Sequence, residues 1–377
     1  MACNTFNSKL SKYGTSNQIV MDAPVRGKPV GLKIIRQRYK CNGCNRTFRE
    51  KLPDIDEKRA VTKRLIQFIH EQALERPFSN IANEVGIDEK SVRNIFREYI
   101  ETLEKDHETV MPRWLGIDEI HILSKPRALL TNIEVRTIVD FLPSRKKEIL
   151  QDYFKIKGDK HNIEFVTMDM WNPYRSLIKE ETNARIIVDK FHVVRMANNC
   201  LDVVRKSIRD NLTTNERRKL KDDRFLLLKH QSELSAKQKN IINAWMTAFP
   251  VLYNAYIAKE SFYEIFDSCD RNQATERYRQ WLGSLDDEIK DNFKPLTTAM
   301  NNWYEEIMNY FDKPLTNAYT ESLNNIIRSI NRNGRGYSFD VLRAKILFAK
   351  GAQRRTRGTF QKQQSRPESL KMNQLKT

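Results

Sequence analysis

The chain has 377 residues, 40 % of them apolar, which is enough for two or three domains with real cores and too much for a disordered tail. Lys plus Arg number 66 against 48 Asp plus Glu, and the resulting net charge of +18 points to a polyanionic partner, nucleic acid ahead of a ribosome-associated or merely basic role. No stretch approaches ~18 consecutive apolar residues and MACNTFNSKL lacks a leader's apolar run, so no membrane span or export is expected. Five cysteines, at 3, 41, 44, 200 and 269, are too scattered for a disulfide framework, in keeping with a cytoplasmic, nucleoid-associated protein.

Residues 1–55 read as short-stranded and basic. PVRGKPVGLKIIRQRYKCNGCNRTFREKLP alternates apolar and charged residues up to Cys41-Asn-Gly-Cys44, the pattern of a β-ribbon ending in a metal knuckle. Two thiolates so spaced can face one Zn²⁺, but a structural site takes four ligands. Cys3 offers a third, and the position three residues further on is Phe6. A small apolar turn without metal fits the same residues.

Residues 56–110 are helical by period, and RPFSNIANEVGIDEKSVRNIFREYIE is more specific. Ala82, Gly86 and Val92 stand where a helix-turn-helix needs a small residue at the crossing, a glycine in the turn and an apolar seat for the second helix. Asp88 is placed to cap that helix, and Lys90, Ser91, Arg93 and Asn94 lie near its start, where a recognition helix meets bases and phosphates. Any short helical hairpin gives a similar pattern.

From residue 113 the period changes. WLGIDEIHIL reads as a strand, ALLTNIEVRTIVDFLPS as two strands around a turn at Glu134 to Arg136, and RKKEILQDYFKI as a helix. IEFVTMD, NPYRSLIKEE and ARIIVD follow as strand, helix and strand, the helix opened by Asn172 and Pro173. The order βββαβαβ over 111–194 describes a mixed sheet covered on both faces, the arrangement of the ribonuclease H-like fold. Residues 195–314 hold long charged and aromatic-rich helical runs and read as an all-α insertion. Residues 315–350 return a helix with LTNAYTESLNNIIRSINR, and 351–377 form a basic, polar tail. The fold expected is therefore multidomain: a zinc-ribbon-like β segment, a helix-turn-helix, and a ribonuclease H-like mixed-sheet domain interrupted by helices.

Phosphoryl transfer on DNA can be run by two divalent metals held by carboxylates from separate elements. Asp118, flanked by Ile117 and Ile120, is costly to bury unless paired or metal-bound. Its neighbour Glu119 points to the opposite face of the pleat. Asp169 and Asp189 each close an apolar strand, and strand order favours Asp169: the strand after the first helix lies beside the first strand and brings its end to Asp118. Asp189 with His192 forms a D-x-x-H pair in which the carboxylate can fix the imidazole's tautomer; a helix cap beside a half-buried histidine fits equally. In the last helix Leu323, Ile326, Ile327 and Ile330 make the buried stripe, while Glu321, Asn324, Asn325 and Arg328 make one polar strip headed by a carboxylate, after Thr316 or Asn317 as cap. Trp171, Tyr174 and Arg175 are spaced to set aromatics and a cation near a phosphate, or to be core.

GIDE, VTMDMWNPYR, VDKFHVV and LTNAYTESLNN, in this order and with a long helical gap before the last, resemble the ISL-three family of bacterial insertion-sequence transposases. RQRYKCNGCNRTF resembles that family's zinc ribbon, the helix-turn-helix its DNA-binding segment, and residues 113–345 its DDE catalytic domain. The resemblance implies cleavage and strand transfer at the terminal inverted repeats of a mobile element and at target DNA. It implies two Mg²⁺ or Mn²⁺ ions at Asp118, Asp169 and Glu321, with Asp189, His192, Asn324, Asn325 and Arg328 in support, and a homo-oligomer on DNA. Zn²⁺ at Cys3, Cys41 and Cys44 is implied less fully, since Phe6 stands in place of a ligand cysteine and the leader is short. The same residues leave two rivals open: a DNA-binding regulator or truncated copy with an inert catalytic domain, and a metal-dependent resolvase or nuclease.

Overall fold

The computed structural model describes residues 9–105 and 107–349, so Cys3 and the tail 351–377 lie outside the described residues. β1 (Leu10–Val25) and β2 (Lys28–Cys41) form an antiparallel ribbon of 16 and 14 residues, much longer than short-stranded. Its tight turn puts Arg26 and Gly27 at φ 53° and 73°, the left-handed pair that a two-residue hairpin requires. β3 (Thr47–Arg49), β4 (Ile55–Asp56) and β5 (Val61–Thr62) complete a sheet of order β3-β2-β1-β5-β4. Arg36, 1 % exposed on β2, anchors it through bonds to Glu57 (2.6 Å) and Gln18 (3.0 Å).

The helix-turn-helix follows as α1 (Lys63–Glu75), α2 (Phe78–Val85) and α3 (Glu89–Lys105). Thr62 caps α1 by accepting the Leu65 N–H at 3.1 Å, and Gly86 ends α2 at φ 71°. Asp88 takes the Ser91 N–H at 2.8 Å, while Ala82 and Val92 are buried at the crossing.

A second sheet holds β6 (Trp114–Ile122), β7 (Lys125–Asn132), β8 (Thr137–Leu142), β9 (Phe165–Met168) and β10 (Arg185–Val188) in the order β10-β9-β6-β7-β8. The first three form an antiparallel meander; β9 runs parallel to β6 and β10 parallel to β9. α4 (Lys147–Lys155) and α5 (Asn172–Glu181) make the crossovers, α5 with proline in its first turn. The chain then runs through α6 (Lys190–Ser207), α7 (Thr214–Asp222), α8 (Arg224–Leu228), α9 (Ala236–Ala248), α10 (Pro250–Ile265), α11 (Arg271–Ser284), α12 (Asp287–Asn302) and α13 (Tyr304–Asp312). It returns to the sheet as α14 (Ala318–Gly334) and α15 (Phe339–Phe348).

Two apolar cores sit on opposite sides of this sheet. One runs from Leu115, Ile117 and Val166 through α5 and α6 into the helices α7 to α13. The other joins Ile120, Leu129 and Phe141 to α14, α15 and the helix-turn-helix, so α1 to α3 share a core with the sheet. Lys345 of α15, 2 % exposed, donates to the main-chain carbonyls of Ala73 and Arg76 at the end of α1, the latter at 3.0 Å, and its ammonium lies 4.9 Å from the Tyr337 ring centre. A buried charge is tolerated there because helix C-terminal carbonyls and aromatic faces take its protons and field.

Candidate active site

β9 pairs with β6 only as far as Gly116, so Asp118 stands just past the point where β9 ends and Asp169 begins the next loop. That gap opens a cleft of about 350 Å³ lined by Asp118, Asp169, Trp171, His192 and Arg195, with Glu119 at its border. Asp118 is 6 % exposed and accepts the Asn324 side-chain amide and its neighbour's Glu119 N–H, both at 2.7 Å. Burial, reinforced by the charge of Asp169, pushes its carboxyl up to about 6. Glu119 keeps to the opposite face of the pleat, where it pairs with Arg145, whose guanidinium stacks 5.0 Å from the Trp171 ring; it still borders the cleft because past the end of β9 both faces of β6 meet the opening.

His192 links the second and third acids. Its Nε2 lies 2.7 Å from Asp169 Oδ1 and 3.6 Å from Glu321 Oε1, and Arg195 stands 3.7 Å from the same Glu321 oxygen. Burial opposes charge on the imidazole, but the Asp169 carboxylate outweighs it and the pKa is raised. Asp169 Oδ1 is buried, with His192 Nε2 at 2.7 Å as its close polar neighbour, the contact that raises the imidazole's pKa. Carboxylates of Asp118, Asp169 and Glu321 gathered around one imidazole are a donor set that suits a hard divalent cation. Donor atoms of Asp189, His192 and Glu321 also lie within 4.8 Å of one another.

Asp189 is placed differently from the expected tautomer-fixing partner of His192. It is fully buried at the start of α6, and its oxygens accept the Phe191 N–H at 3.1 Å and the Asn317 N–H at 3.2 Å; burial holds its carboxyl above the ordinary value. It therefore caps one helix and ties down the start of another.

That tie belongs to a buried network invisible in local pattern. Asn317 donates to the Ile117 carbonyl at 3.1 Å and its Oδ1 accepts from Thr320 (2.7 Å) and Thr167 (3.3 Å), while Thr320 meets Thr131 at 2.7 Å. Asn317 stands at the N-cap position of α14 without capping it, its side chain being spent on the sheet. Gly116 makes room: a Cβ there would fall 2.4 Å from Thr131 Oγ1 and 2.8 Å from Asn317 Oδ1. Thr131, Thr167 and Thr320 are the residues that reading by period missed; a lone threonine in each of β7 and β9 and one in the first turn of α14 gave little signal.

The polar strip expected on α14 is divided. The buried face is Thr320, Leu323, Asn324 and Ile327, because the helix lies flat on the sheet; Glu321 and Asn324 turn to the acids, and Asn325 and Arg328 are exposed. Tyr174 is core, and Arg175 leaves the cleft to bond Glu306 (2.7 Å) and stack on Trp303 (4.6 Å) in the insertion. On α3, Lys90 and Asn94 are exposed, whereas Ser91 bonds Asp88 at 2.7 Å and Arg93 pairs with Glu89 at 2.7 Å; exposed Arg97 extends the face by one turn. Cys41 is buried at the end of β2 and Cys44 lies in the turn after it.

A helix-turn-helix fused to a sheet with clustered acids at a strand end defines a DNA-binding protein of the kind that processes nucleic acid. A family model described as Transposase matches residues 115–346, and one described as Helix-turn-helix domain of transposase family ISL3 matches residues 50–100. The chain belongs to this family and is an insertion-sequence transposase. It is similar to the transposase for insertion sequence element IS1001 of Bordetella parapertussis, 22 % identical over 333 residues, covering 86 % of this chain and 82 % of the relative. Among the described residues no helix is long and apolar enough to cross a membrane.

Proposed function

We propose that the protein cleaves DNA at the terminal inverted repeats of its element and joins the freed ends to target DNA, using Asp118, Asp169 and Glu321 of a ribonuclease H-like domain as the DDE triad. The observation that carries this reading is the cleft where Asp118 and Asp169 meet and His192 bridges Asp169 to Glu321. The acids would hold two Mg²⁺ or Mn²⁺ ions, which when bound activate the attacking oxygen and steady the leaving one. The chain's own contribution is placement. Asn324 orients Asp118, the Asn317 network fixes α14 so that Glu321 faces the cleft, and Trp171 with Arg145 forms a wall for the bound strand. Lys90 and Asn94 on the exposed face of α3 read the repeats, and a homo-oligomer brings two ends together. Cys41 and Cys44 supply half of a tetrahedral Zn²⁺ site in the N-terminal ribbon, with Cys3 as third ligand; zinc content of the purified chain and of Cys41→Ser tests it.

The test is a supercoiled or linear substrate carrying the element's own ends, with Mg²⁺ or Mn²⁺. Asp118→Ala, Asp169→Ala and Glu321→Ala should each abolish metal-dependent cleavage and leave DNA binding nearly intact. Retained cleavage in Glu321→Ala sinks the triad.

A further inference from the structure

α6 is a shared wall between the acid cleft and a second cleft that nothing in the cutting reaction accounts for. Along it His192, Arg195, Asn199, Asp202 and Lys206 follow one another at spacings of three and four residues, so they share one face of the helix, and Arg209 continues the row in the 3-10 turn Ile208–Asn211 that follows. The first three border the acid cleft and the last three line the second cleft, of about 370 Å³. Around it α6 adds Arg205, α7 adds Arg217 and Lys221, and Arg224 opens α8, six cations around the single carboxylate of Asp202.

The charge is only partly answered from within. Asp202 is 4 % exposed and draws Arg205 (2.8 Å), Lys206 (2.9 Å) and Arg224 (3.0 Å) onto one carboxylate. Arg217 is turned through its Nε onto the carbonyls of Arg209 (2.8 Å) and Leu212 (3.0 Å). This leaves Arg209 and Lys221, both exposed, and most of the charge of the others crowded at close quarters, a repulsion the fold carries unless a polyanion relieves it. Among the described residues no aromatic or amide side chain lines the cleft, and a lining of Arg and Lys suits phosphates first.

We infer that this cleft is a grip for the DNA phosphate backbone, set at a fixed distance from the acids by α6. From His192 to Lys206 the helix rises roughly 21 Å at about 1.5 Å per residue, or about six base pairs at roughly 3.4 Å per pair. The grip holds duplex next to the cut and carries no sequence preference. It rests on the chain being a transposase for the identity of the polyanion, and not on which acids cut.

The experiment uses the full chain with Lys206→Gln, Arg209→Gln and Lys221→Gln combined. Affinity for a duplex spanning the element's end, and for a random duplex of equal length, is measured across salt concentrations. The slope of log K against log salt should become shallower by about 2 to 3, close to 0.9 per lost phosphate contact, equally on both duplexes. The ratio of the two affinities should stay at its wild-type value. An unchanged slope overturns the inference, as does a loss confined to the element's end. Lys221→Glu, an exposed single change, repeats the measurement if the triple variant unfolds early, with the same two outcomes. The two readings separate cleanly: a wild-type chain that cuts nothing while the variant loses slope ends only the cutting proposal, and full cutting with an unchanged slope ends only this one.

Discussion

The ends of β9 and β10 are alike in sequence and opposite in use. Each is a short apolar strand closed by aspartate, Asp169 after VTM and Asp189 after IIV. Asp189 is fully buried with both oxygens engaged by backbone N–H groups; the Asp169 side chain is 32 % exposed and its Oδ1 meets the His192 imidazole instead of a backbone N–H. Donor supply makes the difference. α6 starts at the residue after Asp189, so a free N–H of its first turn, that of Phe191, falls on that carboxylate, and the Asn317 N–H at the start of α14 takes the other oxygen. α5 starts only at Asn172, leaving Asp169 out of reach and available to a cation. On the proposed reading, the acid is a scaffold where a helix begins at once and a metal ligand where a short loop intervenes.

The largest test of that contrast is on the open end. Asp169→Asn should lower metal-dependent cleavage on the order of 10³-fold, the scale on which preorganised charge acts in a transition state, while shifting stability by less than about 1 kcal/mol. Unfolding midpoints and cleavage rates of the same preparation check it; a collapse of stability with residual activity would make Asp169 the scaffold instead.

The closed end should behave in reverse. Asp189→Ala strands two buried N–H groups and is expected to cost about 3 kcal/mol in denaturant unfolding, with Asn recovering part because its oxygen still accepts one of them. Wild-type stability in Asp189→Ala, with cleavage gone, would move it into the metal shell beside His192 and Glu321.

How much of this could be read beforehand follows from the same logic. The strands β6 to β10, the Asn172-Pro173 helix start and the turn at Gly86 were legible because each rests on local period or on one residue's backbone preference. The length of the β1–β2 ribbon, the division of the α14 strip and the buried tie of Asn317 to Asp189 were not, since they depend on partners up to 206 residues apart. The D-x-x-H motif illustrates the limit: spacing allowed a bond from Asp189 to His192, and tertiary packing gave each a different partner.

Lys345 extends the comparison to a buried cation, for which carbonyls replace N–H groups. Burial holds its pKa down to about 8 from 10.5. The folded chain therefore releases this proton near pH 8 while the unfolded chain keeps it to about 10.5, so in that window the unfolded state binds more protons and stability rises with pH. Below pH 8 the cost of the charge is fully present. Relative to Lys345→Met, the wild type should gain on the order of 3 kcal/mol between these limits, read as the difference between two unfolding curves at each pH. A flat difference would mean that the carbonyls of Ala73 and Arg76 solvate the ammonium as well as water does.

The smallest effect concerns how an open-end acid is held without being used up. Asn324 gives Asp118 one amide hydrogen at 2.7 Å and keeps a buried oxygen that has no hydrogen-bond partner, whereas Asn325, one residue on, is exposed. Asn324→Ala should slow cleavage about tenfold, since one hydrogen bond to a charged group is worth ~1.5 kcal/mol or more, and should raise the metal concentration needed for half-maximal rate. Asn325→Ala should change neither. Equal losses at the two positions would restore the single polar strip and make the amides a DNA contact; a loss at Asn324 that excess metal partly rescues assigns it to positioning Asp118.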